Sequence, residues 1–295
     1  MQNKTKFFDR SFHYALLVFV LTTLAVTLSV VVVLLNESSG FFAHVNLLDF
    51  LFGTKWTPLL EPKSFGILPL ICGTFMIVIG AIAFALPVGL AIAIYLSEFA
   101  SYNSRKRIKP ILEVLAGIPT IVYGFFALTF ITPLLKNIFP EIQIFNALSG
   151  ALVVGIMILP MVASLCDDGF RALPPSLREG AYGLGAKPYE VIRHILLPAS
   201  TSRIAATLIL AISRAIGETM AVTLAAGATP NLSFNFLDSI QTMTAYIVQV
   251  SLGDTPANSI EYQSSYAVGL VLFIMTFFMN VIGNLVLAKK PLEAM

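Results

Sequence analysis

Long apolar stretches separated by short clusters of charge dominate the pattern of this sequence. Six stretches can be read, each long enough for the roughly 20 residues that a helix needs to cross about 30 Å of hydrocarbon. They cover approximately residues 12–35, 67–97, 111–135, 145–166, 204–226 and 266–287. The pattern predicts an all-α integral membrane protein with six transmembrane helices. The second stretch contains Pro69 and Pro87 and is expected to be kinked or partly interfacial.

Composition agrees with lipid as the main solvent. Of the 295 residues, 57% are hydrophobic and 12% are charged, whereas soluble domains average about 25% charged. So few charges cannot cover the surface of a soluble globule of this size. Lys4, Lys6 and Arg10 resemble the start of a signal peptide, but the charge-free run over 11–36 is longer than a usual signal core. We therefore interpret it as a retained first transmembrane helix.

The basic residues are distributed unevenly between the two sides that six spans define. Fourteen of the 18 fall on the side that contains both termini, three (Lys55, Lys63 and Lys136) fall on the other side, and Arg214 belongs to neither. Because basic loops remain in the cytoplasm, both termini are predicted to be cytoplasmic.

Candidate metal and nucleotide sites are not evident in the sequence. His13, His44 and His194 have no ligand-like spacing, and Cys72 and Cys166 are expected near opposite membrane faces, so we predict neither a metal nor a disulfide. The G-x-x-x-x-G-K-[ST] loop that cradles nucleotide phosphates is also missing. We expect no cofactor on this chain and no enzymatic activity of its own.

Two loops carry helical signals. In the loop over 167–203, Ser176 to Glu179 fits a capping box, Gly183 and Gly185 can end a short helix, and Pro188 suits the start of a second one. This predicts two short helices that project from the membrane. On the opposite side, the loop over 227–265 contains no lysine or arginine, and the apolar spacing over 236–251 predicts a surface amphipathic helix.

The loop over 167–203 also contains a recognisable motif. Glu179, Gly180 and Ala181 are followed after three residues by Gly185, and after nine more by Ile195-x-Leu197-Pro198. This resembles the EAA signature of ATP-binding-cassette importer permeases and differs only at Gly180, where the family usually has alanine. The resemblance implies a coupling helix that sits in a cleft on a separate ATPase subunit, which binds ATP and Mg. Glu179 and Arg178 would contact that subunit, unless Arg178 is simply a solvated charge.

A second constellation lies within the fifth apolar stretch. Arg214 in a membrane span costs about 2.5–3.5 kcal/mol on insertion scales and is therefore a functional candidate. Glu218 lies four residues later, on the same face if the helix is continuous. One hypothesis makes Arg214 the contact for an anionic substrate, with Glu218 holding the guanidinium and Gly217 allowing close approach. The alternative is a structural ion pair.

Three blocks narrow the resemblance. Residues 94–100, 113–126 and 214–221 look like the PstC-type permease subunits of bacterial phosphate importers. Within them, Gly117-Ile118-Pro119 can be a helix kink and Tyr123 an interhelical contact. The small residues Gly80, Ala81, Ala83 and Ala85 favour close helix packing.

This resemblance implies a type I importer permease fold of the MetI kind. It divides the chain into residues 1–66 (tail, first helix and external loop), a permease core over 67–288 that includes the coupling loop 167–203, and a tail over 289–295. It implies a PstA-type second permease, a PstB-type ATPase dimer and a PstS-type phosphate-binding protein as partners, and no nucleic acid. Permeation of sulfate, molybdate or phosphonate, or a secondary anion transporter, remain alternatives.

Overall fold

The computed structural model describes residues 2–257 and 259–288, and its regular elements within these ranges are helices. The predicted tail over 289–295 lies outside the described residues. The helices in chain order are α1 (Gln2–Phe42), α2 (Leu47–Phe52), α3 (Leu68–Ile94), α4 (Tyr102–Gly117), α5 (Thr120–Phe126), α6 (Thr132–Lys136), α7 (Ala147–Arg171), α8 (Pro175–Gly183), α9 (Pro188–Val191), α10 (Leu197–Ala199), α11 (Thr201–Ile216), α12 (Met220–Ala226), α13 (Met243–Leu252) and α14 (Ile260–Ala288). Three π-helical turns continue α3, α5 and α9: π1 (Tyr95–Phe99), π2 (Ala127–Ile131) and π3 (Ile192–Leu196).

Four of these helices, α1, α3 with π1, α7 and α14, are each long and apolar enough to cross a membrane alone. Two further pairs pass the same test together but are bent, by 92° between α4 and the α5–α6 segment and by 68° between the α9–α10 segment and α11. The total is six when each bent pair counts as one span. The predicted all-α membrane architecture is confirmed, and two of the six spans are not straight helices.

The third predicted span, 111–135, is wrong as a single helix. α4 ends at Gly117, and Ile118 is extended (φ −69°, ψ 129°) because a residue before proline is disfavoured in the helical region. Tyr123, which is buried, donates its hydroxyl to the Leu115 carbonyl at 2.7 Å and so satisfies an acceptor at the end of α4. The expected kink and the expected contact of Tyr123 are both present.

α3 and α7 form the centre of the main core, and small residues let them approach closely. A Cβ built at Gly80 would lie 2.6 Å from the Ala151 Cβ, which is closer than two carbon atoms can approach. The predicted close packing of the second span is thus confirmed at Gly80. α7 itself starts at the N-cap Asn146, whose side chain accepts from the Ser149 amide at 2.7 Å.

Beyond the membrane spans, a compact aromatic cap covers one end of α3, α13 and α14. α1 does not end near Leu35 as expected but continues to Phe42, where Phe41 packs against Phe50 with ring centroids 5.5 Å apart. Trp56 stacks edge-on against Tyr246 at 4.8 Å. The end of α1 and the segment that follows it are therefore joined to the rest of the chain through a buried cluster.

The predicted surface helix over 236–251 is wrong in its start and its exposure. α13 begins at Met243, with Thr242 as N-cap, and both Met243 and Val250 are buried. The start of α13 is tied to α3, because the Thr74 hydroxyl accepts from the Met243 amide at 3.1 Å. A Cβ at Gly73 would lie 2.4 Å from the Gln241 carbonyl oxygen. The apolar spacing seen in the sequence therefore marks a helix buried within the chain, packed mainly against α14 and also against α3.

Candidate functional site

The fifth predicted span, 204–226, is interrupted at its centre. α11 ends at Ile216 and α12 starts at Met220, so residues 217–219 form a break between two half-helices. No proline causes this break. The Gly217 amide donates to the Ser213 carbonyl and the Glu218 amide donates to the Ala215 carbonyl, both at 3.3 Å, which tightens the end of α11.

Arg214 lies in the last turn of α11 and is exposed. It is 13 residues from Thr201, the first residue of α11, which corresponds to about 20 Å along the helix axis. No carboxylate in the described part of the chain lies within 4.0 Å of its guanidinium. The structure thus leaves a cationic, planar donor deep along an apolar helix, facing outward from the chain.

Glu218 does not pair with Arg214, contrary to the expected placement on one helix face. That expectation is wrong because the helix ends between them. Glu218 is 9% exposed, and its Oε1 accepts from the Ala221 amide at 3.1 Å. A carboxylate before the first turn of α12 satisfies a free amide and complements the helix dipole. The Glu218 carbonyl in turn accepts from the Thr244 hydroxyl at 2.7 Å, which ties the break to α13.

Gly217 is exposed beside Arg214. A Cβ there would meet no atom closer than 3.7 Å. The close approach expected at Gly217 is therefore not made within this chain. The space is open on the side to which Arg214 is exposed.

The predicted pair of short helices in the loop over 167–203 is confirmed. We call α8, α9 and the turn between them the coupling hairpin, after the role that the sequence predicts for it. α8 ends at Gly183, and Gly185 has the positive φ (+86°) that suits glycine at such a turn. Pro188 occupies the first turn of α9, as expected. The predicted capping box at Ser176 is wrong, because α8 already begins at Pro175 and its N-cap is Pro174, without a side-chain bond.

The two faces of α8 are different. Glu179 and Gly180 are exposed, and a Cβ at Gly180 would meet no atom within 4 Å. Leu184, just after the helix, is 91% exposed. Ala181, the third residue of the Glu179-Gly180-Ala181 motif, is 8% exposed and belongs to the chain's own core. It therefore supports the hairpin from inside and is not available to a partner.

Arg178 lies on the inner face of α8, three residues before Ala181. Its Nε donates to Glu98 Oε1 at 3.1 Å, and its second terminal nitrogen donates to the Phe170 carbonyl at 2.7 Å. The Arg178 side chain is 19% exposed and the Glu98 side chain 6%. Arg178 is therefore neither a solvated charge nor a side chain on the open face.

Comparisons with known proteins decide the family. The sequence matches the family described as binding-protein-dependent transport system inner membrane component over residues 85–289. The chain belongs to this family. With its apolar helices, this makes it a multi-pass inner-membrane permease, a transport component rather than an enzyme.

Curated relatives cover most of this permease. It is 36% identical to the probable ABC transporter permease protein YqgH of Bacillus subtilis (strain 168), over 79% of this chain and 75% of that protein. It is 34% identical to the phosphate transport system permease protein PstC of Mesorhizobium japonicum, over 82% and 78%. It is 32% identical to the protein of the same name from Haemophilus influenzae, over 94% and 90%.

Solved structures show the same fold at low sequence identity. A chain of the MetNI methionine ABC transporter in an inward-facing conformation aligns with a TM-score of 0.58 at 16% identity, covering 77% of this permease and 95% of that chain. A chain of a bacterial alginate ABC transporter, in complex with a periplasmic protein that carries an alginate pentasaccharide, aligns with a TM-score of 0.59 at 16% identity, covering 85% of each chain. The expected type I importer permease fold is thus confirmed.

Glu98 lies within the block 94–100, but nothing in the sequence motifs distinguishes it as a site residue. It was visible in the sequence as an acidic residue at the end of a long apolar stretch. Its partner in the permease is 80 positions away, so no local spacing could have identified the pair.

Proposed function

We propose that this permease conducts inorganic phosphate into the cell as one subunit of an ATP-driven importer. Two relatives that it matches over most of its length are named phosphate transport system permease proteins. The observation that carries the proposal is Arg214, an exposed arginine along a half-helix of a membrane span, with no carboxylate partner among the described residues.

The chemistry of Arg214 fits an oxyanion. A guanidinium offers five donors in a planar fork and stays charged at any working pH. Charge-assisted bonds from such a fork to phosphate oxygens are short and directional. Because Glu218 is engaged in capping α12, it does not compete with the anion for Arg214. A conduit also needs binding weak enough to release the ion, and one cation gives a weaker site than a cluster.

The outward exposure of Arg214 and Gly217 favours a path shared with a second subunit. A single chain with this surface facing lipid would bear the cost of an unpaired arginine in the membrane. A homologous PstA-type permease that faces residues 214–217 relieves that cost and completes the path. The core region over 67–288 supplies this surface, and region 1–66 supplies the first helix and the external cap.

The coupling hairpin is the proposed site for the ATPase. Its open face presents Glu179, Gly180 and Leu184, while Gly185 sets the turn that follows. A PstB-type dimer binds ATP and Mg and moves the hairpin. The hairpin and both termini are cytoplasmic on the distribution of basic residues, and a PstS-type phosphate-binding protein docks on the opposite side.

Uptake of labelled phosphate tests this proposal. The chain is expressed with the ATPase, second permease and binding protein of the same organism in a strain that lacks other phosphate importers. We expect ATP-dependent uptake that excess sulfate, molybdate or phosphonate does not inhibit. Inhibition by one of these anions would assign the permease to that cargo. Uptake that continues without the ATPase would indicate a secondary transporter.

A further inference from the structure

The coupling hairpin makes a hydrogen-bonded contact with the end of the span formed by α3. Within the described ranges, Arg178 is the only α8 side chain that makes a hydrogen bond or ion pair with another helix. Its target Glu98 lies in π1, the turn that ends the span formed by α3. α8 itself is connected to α7 by the short segment 172–174 and to α9 by the glycine turn.

The Glu98 end of this contact is held firmly. The Glu98 carboxylate is buried and also accepts from the Ser97 hydroxyl at 2.7 Å. Arg171, at the end of α7, donates to the Leu96 carbonyl of the same turn at 3.2 Å. The helix ends at Phe99, so the last carbonyls of π1 have no further helical amides to accept from and need such partners. Two arginine side chains therefore form hydrogen bonds with π1, Arg171 from α7 and Arg178 from the coupling hairpin.

The Arg178 end is equally constrained. One nitrogen binds the Phe170 carbonyl near the end of α7, while Nε binds Glu98. A planar guanidinium that bridges two helices fixes their distance and angle more tightly than a single flexible charge. α3 is also the helix that packs most extensively against α7 in the core. A displacement of α8 is therefore delivered directly to the central helix pair.

We propose that the Glu98–Arg178 ion pair is the mechanical link through which movement of the coupling hairpin reaches α3. Arg178 is then a positioning residue inside the permease and not a contact for the ATPase. This inference rests on the proposed function, since it needs the hairpin to be the part that the ATPase moves.

The two possible roles of Arg178 differ in what Glu98 does. If Arg178 binds the ATPase, loss of Glu98 leaves docking and coupling intact, because Glu98 is buried and cannot touch the partner. If the ion pair is the link, loss of either residue has the same consequence, and losing both adds little. Glu98→Gln removes the charge and keeps the size and the bond to Ser97.

The experiment uses the full importer in proteoliposomes, with ATP and the phosphate-loaded binding protein. It compares Glu98→Gln, Arg178→Gln and the double variant with Asp168→Asn. Asp168 is a matched control, because it is an exposed carboxylate near the end of α7 whose one ion pair among the described residues is with Lys109, at 3.8 Å. The readouts are the amount of ATPase that co-purifies, ATP hydrolysis and phosphate imported per ATP.

We expect both single variants to keep the ATPase bound and to lose about tenfold in phosphate imported per ATP, a typical size for coupling between two sites. The double variant should lie within about twofold of the weaker single variant. Asp168→Asn should behave as the wild type. A variant that merely yields fewer folded complexes gives a different result. It lowers ATP hydrolysis and phosphate import together, so the phosphate imported per ATP stays unchanged.

If Glu98→Gln imports as much phosphate per ATP as the wild type, the proposed link is wrong. It is also wrong if the ATPase is lost from the Arg178→Gln variant and retained by Glu98→Gln. If Glu98→Gln does not accumulate, Glu98→Asp retains the charge but retracts it by one methylene, and its ratio is expected to be intermediate. The proposed function fails separately, when the wild-type complex imports no phosphate or when Glu179→Lys leaves import unchanged.

Discussion

The environments of Arg178 and Arg214 are the reverse of what their neighbours in the sequence predict. Arg214 has an acidic residue four positions away in an apolar stretch, yet it is exposed and no carboxylate of the described residues pairs with it. Arg178 lies in a charged loop, yet its side chain is 19% exposed and it bridges Glu98 and the Phe170 carbonyl. The arginine in a span is exposed here, and the arginine between two spans is half-buried and paired.

The difference comes from where the helices end. A helix break at residues 217–219 separates Arg214 from Glu218 and turns the glutamate into a cap for α12. The short helix α8, which follows α7, brings Arg178 to the Glu98 carboxylate, 80 positions away in the sequence. A cation without an internal partner is available to a ligand or a partner chain, whereas one with two internal bonds is available to neither.

Removal of Arg178 should give the largest loss of stability. Arg178→Met leaves the buried Glu98 carboxylate unpaired, and breaking such a pair typically costs about 3–5 kcal/mol. Arg214→Met removes an exposed side chain and should change stability by no more than about 0.5 kcal/mol. Thermal unfolding of the detergent-purified complexes measures both. Equal stability of the two variants would contradict the difference in environment between Arg178 and Arg214.

Charge reversal next to Arg178 should affect transport and not stability. Glu179 is exposed on the open face of α8, so Glu179→Lys should reach normal membrane levels. Reversal of charge at the proposed contact should reduce phosphate uptake by at least about tenfold, in the range of measured couplings. Co-purification of the ATPase and uptake per permease are the readouts. Normal values for both would remove the hairpin from the ATPase interface.

Loss of the Glu218 cap should have a moderate effect. Glu218→Ala removes the acceptor for the Ala221 amide, and the loss of such a cap costs about 1 kcal/mol. We expect a modest fall in the unfolding temperature. Arg214→Met in the same background should add almost nothing, because the two side chains do not touch. A strong rescue by the second substitution would show that they form a pair after all.

Substitution of Gly217 should have the smallest effect on the isolated chain. A Cβ at Gly217 has 3.7 Å of clearance within the chain, so Gly217→Ala should change stability by less than about 0.5 kcal/mol. A partner permease that approaches here would instead make the same variant assemble poorly. Size-exclusion chromatography of the purified complex separates the two results, and normal assembly with full uptake would place the partner elsewhere.

The sequence predicts the long spans well, because stretches such as 145–166 must be apolar whichever neighbour they meet. It also locates the glycine turn at Gly185, since the backbone conformation there suits glycine. It does not locate the break at 217–219, which contains no proline and depends on contacts such as that of Thr244 with the Glu218 carbonyl. The sequence pattern over 236–251 also predicts the wrong environment, because burial against α14 and α3 produces the same apolar spacing as a surface helix.

The proposed phosphate transport depends most directly on Arg214 as the contact for the anion. The decisive measurement is ATP-dependent phosphate uptake, normalised to membrane protein, for Arg214→Gln and Arg214→Lys and for Arg214→Met combined with Glu218→Met. We expect the glutamine variant to insert normally and to lose uptake, the lysine variant to keep part of it because charge without the planar fork remains, and the double variant to stay inactive. Full uptake by the apolar double variant would show that Arg214 is not the contact for phosphate.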